Sequence, residues 1–471
     1  MPHLINDCFR LKWDYDGGDM FPKILHSVFY IGLKACACAL VILGSNISQA
    51  ADWPQWLGPD RASVWHEDGI VDSFPAIGLK TLWRLPVGLG YSGPSVADGK
   101  VYLFDYVKKG GQLENNPSGK NLLEGSERLL CLDAATGAKV WEYEYTQYYN
   151  LSYAAGPRST PTVHEGKVYI LGAEGRLSCL STKDGKLIWQ KDFKKEYDVE
   201  TPIWGFSSHP LAKGDTLYSL VGGGGSIMVA FDANTGKEKW RALSAPEPGY
   251  GPPTWIEHGG TSQVLIWHPE SLNSLNPITG ESYWSIPLKP GYNLSIAAPR
   301  LYEDSLFVSA IGNVGAMIQL DPSKPGAKIA WRGNARNALY SVNVTPFIEN
   351  GVIYGCDVES SAFMAVRLHD GKRLWETKSP TIGEENSGRH GTAFVVKHGK
   401  RYFLFSETGD LILAELTPES YREISRAHLL EPTNEAFGRD VVWSHPAFAN
   451  QKVYVRNDKE IICVTLAKAD Y

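Results

Sequence analysis

From about residue 83 onward, short apolar runs alternate with polar turns in a fixed order. A Pro is followed five residues later by Gly-Lys-Val-Tyr. Next come an apolar run, a turn of the form Asp-x-x-Thr-Gly, and a Trp four residues after that Gly. The first copies are Pro94…Gly99-Lys100-Val101-Tyr102…Asp133-Ala134-Ala135-Thr136-Gly137…Trp141 and Pro161…Gly166-Lys167-Val168-Tyr169…Asp184-Gly185…Trp189. Later copies close at Trp240, Trp284, Trp331 and Trp375, and the fifth has its turn lengthened at Lys324-Pro325. The seventh keeps Gly399-Lys400-Arg401-Tyr402 but has no closing Trp, and the eighth ends at Tyr471 before one is reached. Runs of this length with alternating polarity between Gly-marked turns predict β-strands, not helices. The Trp residues recur every 44–51 residues, the period of one four-stranded blade of a β-propeller.

Each element of the repeat has a physical cause. The turn Asp can accept backbone N–H groups, and the turn Gly takes a positive φ that other residues resist. The Trp on the last strand is large enough to wedge between neighbouring sheets, and its burial is worth on the order of 2–3 kcal/mol. Trp141, Trp189, Trp240, Trp284, Trp331 and Trp375 are therefore predicted to dock blade on blade. The eighth repeat lacks its fourth strand, while residues 79–85, Leu-Lys-Thr-Leu-Trp-Arg-Leu, form an orphan strand carrying Trp83. Pairing it with residues 461–466 would complete the last blade and join the two ends of the chain, removing an open sheet edge. The expected fold is all-β: an eight-bladed propeller of four-stranded antiparallel blades over residues 79–471, closed by an N-terminal strand. Residues 51–78 are a lead-in. Residues 107–126 read as a long mobile loop inserted into the first repeat.

Composition agrees with this and narrows the function. The chain is 43% hydrophobic and 21% charged, with 47 Gly, 15 Trp and 23 Tyr, which favours a globular β-protein. A net charge of −6 offers no basic surface for a phosphate backbone, so nucleic acid is not an expected partner. Residues 1–50 read as an N-terminal extension and signal peptide. A short apolar run at 35–43 is followed by Ser48-Gln49-Ala50, which suits cleavage after Ala50. A start at Met20 would give an ordinary signal length. The run is too short to span a bilayer comfortably, so the mature chain is expected to be exported, periplasmic or extracellular, with no transmembrane span. Four cysteines remain after residue 50. Cys131, Cys179 and Cys463 share one repeat position that is small elsewhere (Ala230, Ser274, Ala365). That pattern reads as buried space-filling thiols, not disulfides.

The Gly-Lys-Val-Tyr and Leu-Asp-x-x-Thr-Gly-x-x-x-Trp repeats resemble the pyrroloquinoline-quinone (PQQ)-like propeller family. That superfamily includes periplasmic quinoprotein alcohol dehydrogenases, which use PQQ and calcium, and the BamB-type assembly factors. The opening Asp52-Trp53-Pro54-Gln55-Trp56-Leu57-Gly58-Pro59-Asp60-Arg61 is similar to the start of other exported propellers of this type. The resemblance covers about residues 52–471. It makes PQQ with calcium a cofactor by family likeness only. The mature chain has no adjacent Cys-Cys pair and no Cys-x-x-Cys-His haem motif, so the reading leans away from an enzyme, and no catalytic or metal-ligating residue is assigned.

Function in such a ring is expected where the segments before the innermost strands converge. These segments carry Tyr91, Arg158, Trp204, His209, Tyr250, Tyr292, Arg389, His390, Asp440, Trp443 and His445. Arginines can grip an anion, aromatic rings can stack on a ring or sugar face, and histidines can bind metal or move protons. The plainer reading stands beside this one: His209 and His445 each sit in Ser-His-Pro and can simply hydrogen-bond a neighbouring blade. The expected role is a ligand-binding or protein-scaffolding propeller, with an envelope or extracellular protein, a small molecule or a glycan as partner. The alternatives are a PQQ/calcium-dependent oxidoreductase of alcohols or sugars, and a glycan-binding propeller without catalysis.

Overall fold

In the computed structural model, residues 51–471 are described. The apolar run at 35–43, the motif ending at Ala50 and the alternative start at Met20 lie outside the described residues.

Eight antiparallel blades follow one another along the chain. Blade one contains Ser95–Ala97, Lys100–Gly110, Asn121–Asp133 and Lys139–Thr146, with a short extra strand, Tyr149–Leu151, on the third. Blades two to seven span residues 162–192, 211–242, 254–287, 300–332, 347–377 and 393–428. First strands of adjacent blades touch one another from blade eight through blade three, and again between blades five and six. The first strand of each blade is therefore the inner one.

The eighth blade consists of Ala447–Ala449, Lys452–Arg456, Glu460–Thr465 and, from the other end of the chain, Thr81–Pro86. Its register shows why the orphan strand fits. Trp83 lies opposite Cys463, which lies opposite Tyr454. The same row recurs as Tyr102–Cys131–Trp141, Tyr169–Cys179–Trp189 and Tyr218–Ala230–Trp240. A small residue between the two aromatics lets the rings meet across it, 5.9 Å apart for Tyr218 and Trp240. Cys131, Cys179, Cys356 and Cys463 are free and buried.

The repeated Trp also joins each blade to the next. The indole N–H of Trp83 donates to the Ala134 carbonyl, that of Trp189 to Ala233 and that of Trp240 to Pro277, at 3.1, 3.1 and 2.9 Å. Each acceptor is the second residue of the Asp-x-x-Thr-Gly turn in the following blade, which begins with Asn276 in the case of Pro277. The turn Gly packs beneath the same ring: a Cβ on Gly236 (φ 69°) would stand 2.7 Å from Trp189 Cδ2. The turn Asp behaves as its chemistry dictates. Asp232 Oδ1 accepts from the backbone N–H groups of Asn234 and Thr235 and from the Thr235 hydroxyl, at 3.1, 2.9 and 2.8 Å. Trp284 departs from the rule. Its indole turns back to Gln263 Oε1 in its own blade, 3.2 Å away.

Residues 107–126 correct the expectation of a loop. The second and third strands of blade one pair as far as Gly110 opposite Glu124, so half of the insertion extends the hairpin and residues 111–120 lie outside strands. Leu123, fully buried, packs with Tyr106, Tyr149 and Leu151, and this apolar contact is what carries the strands outward.

The lead-in crosses the ring. Trp53 pairs with Val96 of blade one, Val163 of blade two donates its N–H to Pro54 O, and Arg61 donates to His209 O and Pro253 O of blades three and four. Arg300 of blade five holds the carbonyls of Arg61 and Ala62 at 2.8 and 2.9 Å. The segment then pairs with Lys397 of blade seven and Ala467 beyond blade eight. Trp56, only 4% exposed, stacks on His209 with centroids 4.7 Å apart and donates to His445 Nε2 at 3.1 Å. It closes the axial channel from within. No helix among the described residues is long and apolar enough to cross a membrane.

Candidate functional site

Above this plug is a cavity of about 390 Å³, lined from all eight blades. The segments before the inner strands supply Tyr91, Arg158, Trp204, Tyr250, Tyr292, Asn343, Arg389, His390 and Trp443. Eight of the eleven candidate residues therefore meet around one space. The other three do not line it. His209 and His445 lie two residues beyond Ser207 and Trp443 on their strands, against Trp56. There His209 Nδ1 accepts from Thr160 N–H at 3.0 Å, and the His445 ring stands 4.2 Å from Phe394. Burial holds both imidazoles neutral, His445 down to about 3 and His209 well below its usual value. Asp440 is exposed on a small hairpin, Asn434–Ala436 with Arg439–Val441, and faces no part of the cavity.

Arg158 is the electrostatic centre. Its guanidinium donates to the carbonyls of Gly156, Ser152 and Tyr153, at 2.5, 2.9 and 2.6 Å, and lies 5.2 Å from the Tyr91 ring centroid. No carboxylate pairs with it among the described residues. Burial lowers its pKa, while Tyr91, Tyr149, Tyr250 and Glu127 act in the opposite direction. Arg389, more exposed, is already paired with Glu359 at 2.6 Å. His390, at φ 62°, lies flat on Phe437 with centroids 4.3 Å apart, and burial followed by Arg389 and Arg439 takes its pKa to about 4. Trp443 is fixed by its N–H to Glu407 Oε2 at 3.0 Å. The same buried carboxylate receives Arg439 Nε at 2.7 Å.

Sequence reasoning did not reach several wall residues. Tyr153 and Phe437 lie outside the segments singled out, and Pro117 and Ser118 come from the tip of the blade-one hairpin. That tip is held over the mouth by Asn115, whose amide donates to Glu435 O at 2.7 Å, and by Ser152 Oγ, which donates to Asn116 O at 2.6 Å. The insertion itself was the available signal, since a long excursion on one face of a ring is where a site is roofed. Seven aromatic rings line the space, and the buried hydroxyls of Tyr91, Tyr153 and Tyr250 have no partner among the described residues.

The donor set does not suit a calcium-bound quinone. The cavity wall contains no Asp or Glu, whereas calcium requires several oxygen ligands, carboxylates foremost. Nor do three His, Cys, Asp or Glu side chains come together as a metal site anywhere among the described residues.

No curated protein sequence matches the chain. Among solved structures, BamB from Moraxella catarrhalis is 14% identical, over 82% of this chain and 97% of that one, with a TM-score of 0.52. Quinohemoprotein alcohol dehydrogenase from Comamonas testosteroni is 13% identical over 88% and 80%, TM-score 0.51. Quinohemoprotein alcohol dehydrogenase ADHIIG from Pseudomonas putida HK5 is 14% identical over 89% and 80%, TM-score 0.52. At such identities the likeness is one of fold. The sequence profile described as outer membrane protein assembly factor BamB matches residues 125–289 and 268–470; with most of the ring so covered, the chain belongs to this family of PQQ-like β-propellers.

Proposed function

We propose that the chain is a binding propeller of the cell envelope, and that its roofed mouth takes a small organic anion with a flat or sugar-like face. The observation that carries this reading is Arg158: a guanidinium with no carboxylate partner among the described residues, set among seven aromatic rings in a cavity of about 390 Å³. Such a volume is within the usual range of ligand pockets, roughly 300–1,000 Å³. The rings offer stacking faces to a flat or sugar-like ligand. The test is titration with aromatic carboxylates, uronic-acid oligosaccharides, and PQQ with and without calcium, followed by tryptophan fluorescence. Saturable quenching is expected for at least one anion, independent of calcium and weakened at least tenfold in Arg158→Gln. Binding that Arg158→Gln and Trp204→Ala both leave unchanged would overturn the reading, and calcium-dependent PQQ binding would replace it with the quinoprotein one.

The family description supports a second reading, docking of an envelope protein on the same mouth. Tyr292, 77% exposed, and Phe437 stand at its rim, where aromatic anchors favour protein contact. Retention of one envelope protein by the wild type and its loss in Tyr292→Ala would favour that reading; equal retention by both would remove it.

A further inference from the structure

At the start of the lead-in, the Ala51 nitrogen lies 2.6 Å from Glu67 Oε1. Glu67 is 7% exposed. Its carboxylate also accepts the backbone N–H groups of Asn450, at 2.8 Å, and Gln451, both in the first turn of blade eight with positive φ, 58° and 57°. Its own carbonyl receives His398 Nε2 of blade seven at 2.7 Å. No Lys, Arg or His side chain forms an ion pair with Glu67 among the described residues. The carboxylate is served by neutral amides and has no counter-charge among the described residues, so an ammonium in place of one amide would give it a stronger, charge-assisted hydrogen bond. In a continuous chain Ala51 contributes only an amide N–H. As a chain terminus it would contribute an ammonium, since a free α-amine has a pKa of about 8.

The residues just before it, Ser48-Gln49-Ala50, suit signal peptidase cleavage. Hydrolysis there breaks the Ala50–Ala51 C–N bond. The water oxygen goes to the Ala50 carboxylate and its two hydrogens to the Ala51 nitrogen, which leaves as an ammonium able to reach Glu67 once the chain folds. We propose that Ala51 is the amino terminus of the mature protein and that Glu67 binds its ammonium group, locking the lead-in across the ring only after the preceding segment has been removed. The lock fastens the segment carrying Trp53 and Trp56 to blades seven and eight, beside the joint that closes the propeller. This proposal is independent of any ligand in the cavity.

The test uses the full chain, produced in an exporting bacterial host. Intact-mass measurement of the secreted protein is expected to place Ala51 first; a different first residue would overturn the proposal. In the native protein, labelling of the amine by 2-pyridinecarboxaldehyde should be at least tenfold slower than in the urea-unfolded protein, a readout that needs no variant; equal rates would overturn it. A Gly-Ser extension ahead of Ala51 should lower the melting temperature of the wild type by several degrees and leave that of Glu67→Gln unchanged. Equal losses in both backgrounds would show that the ammonium and the carboxylate do not interact.

Discussion

Single side chains decide the chemistry at the axis, and two of them give a pH signature. His445 titrates near 3 in the folded protein because burial penalises its charged form, whereas an imidazole in an unfolded chain titrates near about 6.5. Between these values the unfolded chain binds more protons, so folding stability falls as pH drops from about 6.5 toward 3. His209, displaced in the same direction by burial, then by His445 and Arg61, adds to the slope. His445→Gln leaves an acceptor for the Trp56 N–H but does not titrate. Guanidinium midpoints measured from pH 7 to pH 4 should fall less steeply in this variant, and an unchanged slope would mean that these imidazoles are not the source. The sequence showed that aromatic, Arg and His residues gather before the inner strands. It did not separate the ring that faces the cavity from the ring below it, because Trp204, which lines the cavity, and His209, which meets Trp56, are only five residues apart and differ in depth, not in pattern. Nothing in Ser-His-Pro reveals that Trp56 will lie against it.

The blade-to-blade contact of Trp on turn predicts unequal costs for equivalent residues. Trp240→Ala removes a buried ring, its bond to Pro277 O and its packing on Gly280, and should cost about 3–5 kcal/mol. Trp284→Ala, at the same repeat position but half-buried and with its indole bonded to Gln263, should cost less than half of that when both variants are unfolded in urea. Gly236→Ala meets both the Trp189 ring and a left-handed backbone, and should destabilise by about 1–3 kcal/mol. Most of the blades were legible because the turn chemistry and the Trp recur at a similar spacing in six of the eight repeats. The blade-one insertion was misread as loop because its Gly, Asn and Lys content hides the alternation of Leu123, Tyr106 and Leu151 that keeps it paired. The small hairpin at 434–441 was missed for a similar reason: its strands are three residues each, too short for any period to show.

The whole ring depends on parts that are remote in sequence. Trp56→Ala should lower global stability by about 3 kcal/mol, because the plug ties together inner strands that otherwise meet only their neighbours. It should leave anion affinity within about threefold, since Trp56 does not line the cavity; calorimetry and fluorescence titration on the same preparation check both. The eightfold ring and its closing strand could be inferred from the sequence, because a repeat lacking one strand and a strand lacking a repeat complement each other. The lead-in's path could not, since residues 53–62 carry no periodicity and their course is set by Arg61 and Arg300 reaching backbone carbonyls. The pairing of Trp83 with Cys463 also governs how the molecule comes into being. One of the first strands made must wait, unmated, until nearly the last residue has been synthesised, and a contact so distant along the chain is slow to find. Seven blades can assemble in order of translation while the eighth stays open, with a bare strand edge at each end of the growing arc. A nascent chain in that state is the form most exposed to proteases and to pairing with its neighbours, and the hazard ends only when tail meets head.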